Sequence, residues 1–214
     1  MRGRYTRALA GVSLLLMGKP RLFAAALLAL TLLAVVPARL ALAQTVPGAA
    51  IGASARQNAS PLLDQLKSAN DEATAKILES RVWAAWSQSG NDEVDGLMQR
   101  SVALMQGQAF DEALAVLDSV VAKAPNFAEG WNKRATLLYV MNDFDRSMAD
   151  IARVLALEPR HFGAISGIAL IRQAKGDKAG ALAAYKQVLE IDPLNPGAKA
   201  SVDALGQDLQ GNPI

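Results

Sequence analysis

The chain has 214 residues, 51% of them hydrophobic and 20% charged, which is enough apolar material for one compact domain with appendages. It contains no cysteine, and this excludes disulfides and thiolate metal sites. The formal net charge of +2 is unevenly spread, because six basic residues and no acidic ones fall within residues 1–43. The other 16 basic and 20 acidic residues are interspersed and give −4, so we expect no nucleic-acid binding.

Residues 1–43 have the order of a secretory signal: a basic stretch, an apolar run from Leu22 to Val36, and the small-residue site Ala41-Leu42-Ala43 before Gln44. As a helix the apolar run is about 22 Å long, which is short for a hydrocarbon core of about 30 Å. We therefore expect a cleaved signal peptide and a periplasmic protein. The alternative is an uncleaved inner-membrane anchor, and membrane contact is expected only in that case.

Residues 44–59 are mostly small and polar and predict a flexible linker. Ser60-Pro61 is typical of a helix start and predicts a short helix. A longer helix is predicted from about Asn70 to Ser87. Its expected apolar stripe is Ala73, Ile77, Val82, Trp83 and Trp86. We expect residues 60–90 to form the N-terminal cap of the fold.

Three prolines that each follow a helical segment recur at a constant interval. Pro125, Pro159 and Pro193 are 34 residues apart, and they close the similar phrases VVAKAP, VLALEP and VLEIDP. An internal repeat of this length indicates a stack of two-helix units that share one continuous core.

The residues between these prolines resemble the tetratricopeptide repeat family over roughly residues 94–195. Its signature has a bulky and then a small residue in the first helix, and a small and then an apolar residue in the second. In chain order these positions hold Leu97, Ser101, Ala113 and Leu117; Trp131, Ala135, Ser147 and Ile151; and Ile165, Ala169, Ala181 and Tyr185.

The resemblance implies an all-α, right-handed superhelical solenoid of helix-turn-helix repeats with flanking capping helices. The repeats would span about 94–127, 128–161 and 162–195, within residues 91–195. Residues 196–214 would be a C-terminal capping helix and tail, and Trp131 would pack in the core. Arg100 and Arg134 depart from the signature, and we expect each to lay its methylenes on the core and keep its charge in water.

No constellation of residues predicts catalysis. His161 is the one histidine, and it follows Pro159 in a turn between repeats without a cysteine or an acidic cluster nearby. We expect it to be structural or exposed. The acidic pairs lie at helix starts, where they offset the positive end of the helix dipole. We therefore expect that the protein is not an enzyme and that it binds neither a metal nor a cofactor.

In this family the first helices of successive repeats line a concave groove. The resemblance implies that three ladders of equivalent positions face it: Met98, Asn132 and Ser166; Val102, Thr136 and Leu170; and Met105, Tyr139 and Gln173. The expected function is an exported protein-interaction module that binds a peptide or helix of an envelope partner there. The alternative is an accessory subunit that docks to a membrane complex through its convex face or N-terminal helices.

Overall fold

The computed structural model describes residues 59–211. The predicted signal segment, nearly all of the predicted linker and the last three residues lie outside that range. Within it the chain forms nine helices and no strand. In chain order they are α1 at 59–67, α2 Glu72–Trp86, α3 Asp92–Gln106, α4 Phe110–Lys123, α5 Ala128–Val140, α6 Phe144–Leu157, α7 Phe162–Ala174, α8 Lys178–Ile191 and α9 Pro196–Gly211.

Helices α3 to α9 pack against one another in chain order. Helices α3 and α4, α5 and α6, and α7 and α8 form three hairpins, each hairpin contacts the next, and α9 packs on α8. Helix α5 also contacts α7, so first helices of neighbouring hairpins lie side by side. The predicted all-α solenoid is confirmed. None of the helices between residues 59 and 211 combines the length and apolarity needed to cross a membrane.

The turns inside the three hairpins repeat at the same interval as the prolines. Gln108, Asn142 and Gly176 have φ angles of 58°, 62° and 81°, and they are 34 residues apart. The left-handed conformation ends the first helix of each hairpin. Glycine and asparagine suit this position, whereas Gln108 adopts it with a larger side chain.

Small residues lie where the two helices of a hairpin approach closely. Ala113, Ser147 and Ala181 begin the second helices and are at most 1% exposed. The Ser147 hydroxyl donates a 2.7 Å hydrogen bond to the Ala135 carbonyl across its hairpin, so the polar side chain is satisfied in the core. The signature positions therefore have the packing role that the sequence predicts.

Trp131 packs against the core that contains Ile151 and Val154, but it is half-buried there rather than enclosed as the sequence predicts. Its indole N–H donates to the Pro125 carbonyl at 3.0 Å. The Arg134 guanidinium lies 4.9 Å from the ring centroid. The ring thus joins its own hairpin to the end of the preceding one.

The prediction that Arg134 keeps its charge in water is wrong. Its guanidinium makes two 2.7 Å hydrogen bonds to the carboxylate of Asp150, which is buried, and a third to Asp118. Only 17% of the Arg134 side chain is exposed. The arginine replaces an apolar residue here because it connects α4, α5 and α6 through a paired charge.

The predicted apolar stripe of α2 is partly wrong. The helix buries Ala75, Leu78, Val82 and Trp86. These residues lie three or four positions apart and therefore form one face. Ala73 is exposed and Ile77 is 62% exposed, so the buried face is rotated away from them.

The N-terminal helices do not cap the first hairpin. The buried apolar residues of α1 and α2 share a core with α7, α8 and α9. The core of the first hairpin, in α3 and α4, contains no residue from α1 or α2. We call residues 59–86 the strap. They precede the first hairpin in the chain, but they pack on the last hairpin and α9, at the opposite end of the repeat array.

Candidate protein-binding groove

Exposed apolar side chains lie on the first helices of the three hairpins. Val102 on α3, Val140 on α5 and Leu170 on α7 are 37%, 47% and 40% exposed. Among the residues of 59–211, the second helices α4, α6 and α8 have no large hydrophobic side chain that is comparably exposed. The first helices therefore present the apolar surface that the hairpins do not bury.

A pocket of about 100 Å³ lies between α5 and α7. Five of the predicted groove residues line it, namely Asn132, Thr136, Tyr139, Ser166 and Leu170. The other lining residues are Ala135, Ser147, Ile151, Gly163, Ala164 and Gly167. Because no charged side chain belongs to this set, the pocket suits an uncharged group.

A larger pocket of about 350 Å³ lies between α3 and α5. Met98 and Val102 line it together with Asp95, Gln99, Glu129 and Lys133. Ser87 and Gln88, which directly follow the strap, complete the lining. This pocket therefore combines apolar and charged groups, and the two residues that follow the strap form part of its wall.

Met105 and Gln173 line neither pocket. Met105 packs half-buried against the core of the first hairpin. Gln173 is exposed, and its amide oxygen accepts a 3.0 Å hydrogen bond from the Tyr185 hydroxyl. Within the pockets, Met98 and Asn132 are buried, and the Asn132 amide donates to Glu129 at 2.8 Å. Among the predicted residues that line a pocket, the exposed ones are therefore Val102, Thr136 and Leu170.

A buried polar cluster around His161 lies next to the groove, and its Glu129 lines the larger pocket. His161 is fully buried, and its ring stacks on Trp86 with centroids 4.0 Å apart. The Nδ1 atom accepts the Ala164 backbone N–H at 3.1 Å, so the proton lies on Nε2, which donates to Glu129 Oε2 at 3.3 Å. Both ring nitrogens are engaged, and His161 is structural rather than a base or a ligand.

Glu129 is buried as a charged group within this cluster. Burial favours its neutral form, but the hydrogen bonds from His161 and Asn132 and the charge of Lys133 hold the pKa of Glu129 below its usual value. Lys133 Nζ lies 3.4 Å from Glu129 Oε1. Within residues 59–211, no three acidic or histidine side chains converge as a metal-ligand set. The cluster thus fixes the relative positions of α2, α5 and α7.

Sequence reasoning missed several residues of the groove. Val140 follows Thr136 by one helical turn and lies on the same face, so helical spacing alone could have found it. Gly163 and Gly167, one turn apart on α7, line the pocket between α5 and α7, and their lack of a side chain lets Trp83 and Ile151 pack closely there. Ser87 and Gln88 had no local signal, because their place in the groove depends on where the strap folds back.

Comparisons with known proteins give the same assignment as the fold. No family model matches the chain. A TPR repeat-containing protein from Rhizobium etli is 35% identical over 118 residues, which are 55% of this chain. The match covers 58% of that protein, so this chain spans less than two thirds of its relative's length.

Two solved structures share the fold. The Sgt2 TPR domain from Aspergillus fumigatus has a TM-score of 0.53 at 18% identity, over 58% of this chain and 87% of that one. The first TPR of Spaghetti (RPAP3), bound to an HSP90 peptide, has a TM-score of 0.52 at 21% identity, over 56% of this chain and 94% of that one. The described fold is thus a solenoid of helical hairpins. Its three hairpins have the fold of tetratricopeptide repeats.

Proposed function

We propose that the protein binds a segment of another protein along the first helices of its three repeats. The observation that carries the proposal is the exposure of Val102, Val140 and Leu170 on those helices, because no large apolar side chain of the second helices is comparably exposed. Contiguous exposed apolar surface is typical of interaction sites. The similar Spaghetti domain was solved with a peptide bound, which supports this mode of use.

The chemistry of the pockets favours apolar recognition. The 100 Å³ pocket between α5 and α7 has the size of one aliphatic side chain and no charged lining residue. Met98 and Val102 stand where family members that hold a chaperone's C-terminal carboxylate have a cation and an amide. We therefore propose a peptide or helix anchored by an aliphatic side chain. A C-terminal carboxylate is not required.

We propose that the partner is an envelope protein, because residues 1–43 have the order of a secretory signal. Intact-mass analysis of the protein recovered from the periplasm is expected to give an N-terminus at Gln44. A membrane-bound product that retains the apolar run from Leu22 to Val36 would favour the anchored alternative.

The alternative is docking through the N-terminal helices, with the groove idle. Ile77 favours it, because this side chain is 62% exposed on α2 and belongs to neither pocket. An exposed isoleucine on the strap could contact a larger complex. Each candidate surface therefore offers an exposed aliphatic side chain that can be changed without disturbing a core, namely Leu170 in the groove and Ile77 on the strap.

Photo-crosslinking in cells, followed by affinity measurement, distinguishes binding in the groove from docking through the strap. A crosslinker is placed at Leu170 or at Ile77, and the captured partner is purified. Its affinity is then measured for Leu170→Glu and for the matched control Ile77→Glu. The groove proposal predicts at least a tenfold loss for Leu170→Glu and little change for the control, since burying an unpaired charge costs more than about 1.4 kcal/mol. The reverse pattern would support docking through the strap.

A further inference from the structure

The strap is attached to the repeat array by contacts between residues far apart in sequence. At one end, the Arg160 guanidinium binds the Asp64 carboxylate and the Ser60 hydroxyl. At the strap's C-terminal end, Trp83 and Trp86 pack on His161 and Phe162, with centroid separations of 4.0 to 5.5 Å. These contacts join the strap to the loop that precedes α7.

A third attachment, near the C-terminal helix, brings two carboxyl groups together. Asn195 donates its side-chain amide to Glu79 Oε1 at 2.7 Å and to Asp192 Oδ2 at 3.0 Å. Both carboxyl groups therefore contact the same amide nitrogen. One carboxyl group comes from the strap and the other from the loop between α8 and α9. Two like charges therefore face each other at this junction unless a proton lies between them.

One atom of this junction is left without a partner. Asp192 is completely buried, and its Oδ1 accepts no hydrogen bond from any part of the chain that the structure describes. An unpaired buried carboxylate oxygen is costly. A protonated Glu79 carboxyl would supply an O–H donor to the Asp192 carboxyl group and would remove the like-charge repulsion.

We propose that Glu79 and Asp192 form a proton-dependent latch that fastens the strap to the C-terminal end of the array. With one proton shared between the two carboxyl groups, the latch is closed. When both are ionised, their repulsion and the buried unpaired oxygen loosen α2 from the loop before α9.

The titration of Glu79 fits this latch. Burial and the neighbouring Asp192 raise the pKa of Glu79 to about 7, from an ordinary value of 4.5. A raised pKa means that the docked strap is stabilised most below pH 4.5 and loses this stabilisation as the pH rises through 7. The other charged groups at the junction are Lys76 and Glu72 on α2 and Lys199 on α9, which lies 3.9 Å from Glu72.

The state of the latch can affect the groove, because the strap contacts residues that line it. Trp83 lies against Gly163 on α7, where a Cβ atom would come within 2.5 Å of the indole ring. Gly163 lines the pocket between α5 and α7. Ser87 and Gln88, which directly follow the strap, line the larger pocket between α3 and α5. A loosened strap would therefore change the walls of both pockets. The latch itself does not depend on the groove having a partner.

Hydrogen exchange of the full chain tests the latch. Protection factors, corrected for the intrinsic rate, are measured for amides of α2 at pH 6 and pH 8, with amides of α4 as the internal reference. For a carboxyl group with a pKa of about 7 when docked and 4.5 when exposed, opening increases severalfold over this range, with about tenfold as the ceiling. Amides of α4 should keep constant protection.

Glu79→Gln provides the decisive comparison, because glutamine keeps the shape and the donor but has no charge to gain. It is expected to remove the pH dependence of α2 exchange. Glu72→Gln, on the same helix, should leave it as in the wild type. Asp192→Asn should reduce it, and provides a second test if Glu79→Gln fails to fold. A wild-type α2 with pH-independent protection, or a pH dependence that persists in Glu79→Gln, would overturn the latch.

Discussion

His161 has a role that depends on three neighbours at once. Its ring stacks on Trp86, one nitrogen caps α7 and the other donates to the buried Glu129. The sequence correctly placed His161 in a turn. It predicted no catalytic role for His161, because no cysteine or acidic cluster lies nearby in the sequence. It could not foresee that the ring is buried, since Trp86 and Glu129 lie 75 and 32 residues away along the chain.

His161→Ala should lower the free energy of unfolding by about 3–5 kcal/mol. The change removes the stacked ring and the helix cap, and it leaves the Glu129 charge buried with one donor fewer. Urea melts give the measurement. Asp143→Ala, which removes the cap of α6 and a surface ion pair with Arg146, should cost about 1 kcal/mol and is the control. Equal losses in the two variants would contradict the role assigned to the cluster.

Acid should weaken the same cluster. Because the pKa of Glu129 is lowered, its ionised form stabilises the fold above the ordinary value of 4.5, and this contribution is lost as the pH falls below it. Melts between pH 6 and pH 3 should therefore show a steeper loss of stability for the wild type than for Glu129→Gln. Parallel curves would mean that the Glu129 charge is not stabilised in the folded protein.

At the scale of the helices, the periodic pattern predicted most of what the structure contains. The 34-residue interval located the three hairpins, and the small residues at their crossings are buried as expected, because both features depend on contacts within one hairpin or between adjacent ones. Arg134 was misjudged because Asp150 and Asp118 each lie 16 residues away on different helices. Ala73 and Ile77 were misassigned because α2 has more apolar positions than its buried face uses.

Two glycine-to-alanine changes separate helix propensity from close packing. A Cβ at Gly96 on α3 has nothing within 4 Å, so Gly96→Ala should stabilise the protein by about 0.5–1 kcal/mol. Gly163→Ala gains the same propensity in α7 but displaces Trp83, so exchange in α2 should increase. Thermal melts and exchange of the two variants make the comparison. Unchanged protection of α2 in Gly163→Ala would show that Trp83 adapts without loosening the strap.

At the scale of the whole described structure, the position of the strap is what the sequence did not predict. A helix that precedes a repeat array is expected to cover its first repeat, because neighbouring units contact one another in chain order. Here the strap reaches the third repeat and α9 instead. Its contacts span up to 116 residues, and no local pattern encodes such a separation.

Removal of the strap should therefore weaken the distant end of the array. A protein that begins after Ser87 is expected to lose hydrogen-exchange protection in α7, α8 and α9, whose core includes strap residues, and less in α3 and α4, whose core does not. The full chain with Ile77→Glu is the control for changes at the strap surface. Loss of protection that is greatest in α3 and α4 would restore the view that residues 60–90 cap the first repeat.

The long span of the strap's contacts also has a consequence during synthesis. Glu79 leaves the ribosome 116 residues before Asn195, its partner in the folded protein. At about 5–20 residues per second, α2 must wait on the order of 6–20 s before that partner exists. Trp83 and Trp86 likewise have no native surface to cover them until His161 and Phe162 have been made. The nascent chain therefore exposes a pair of tryptophans that only the last repeat can bury.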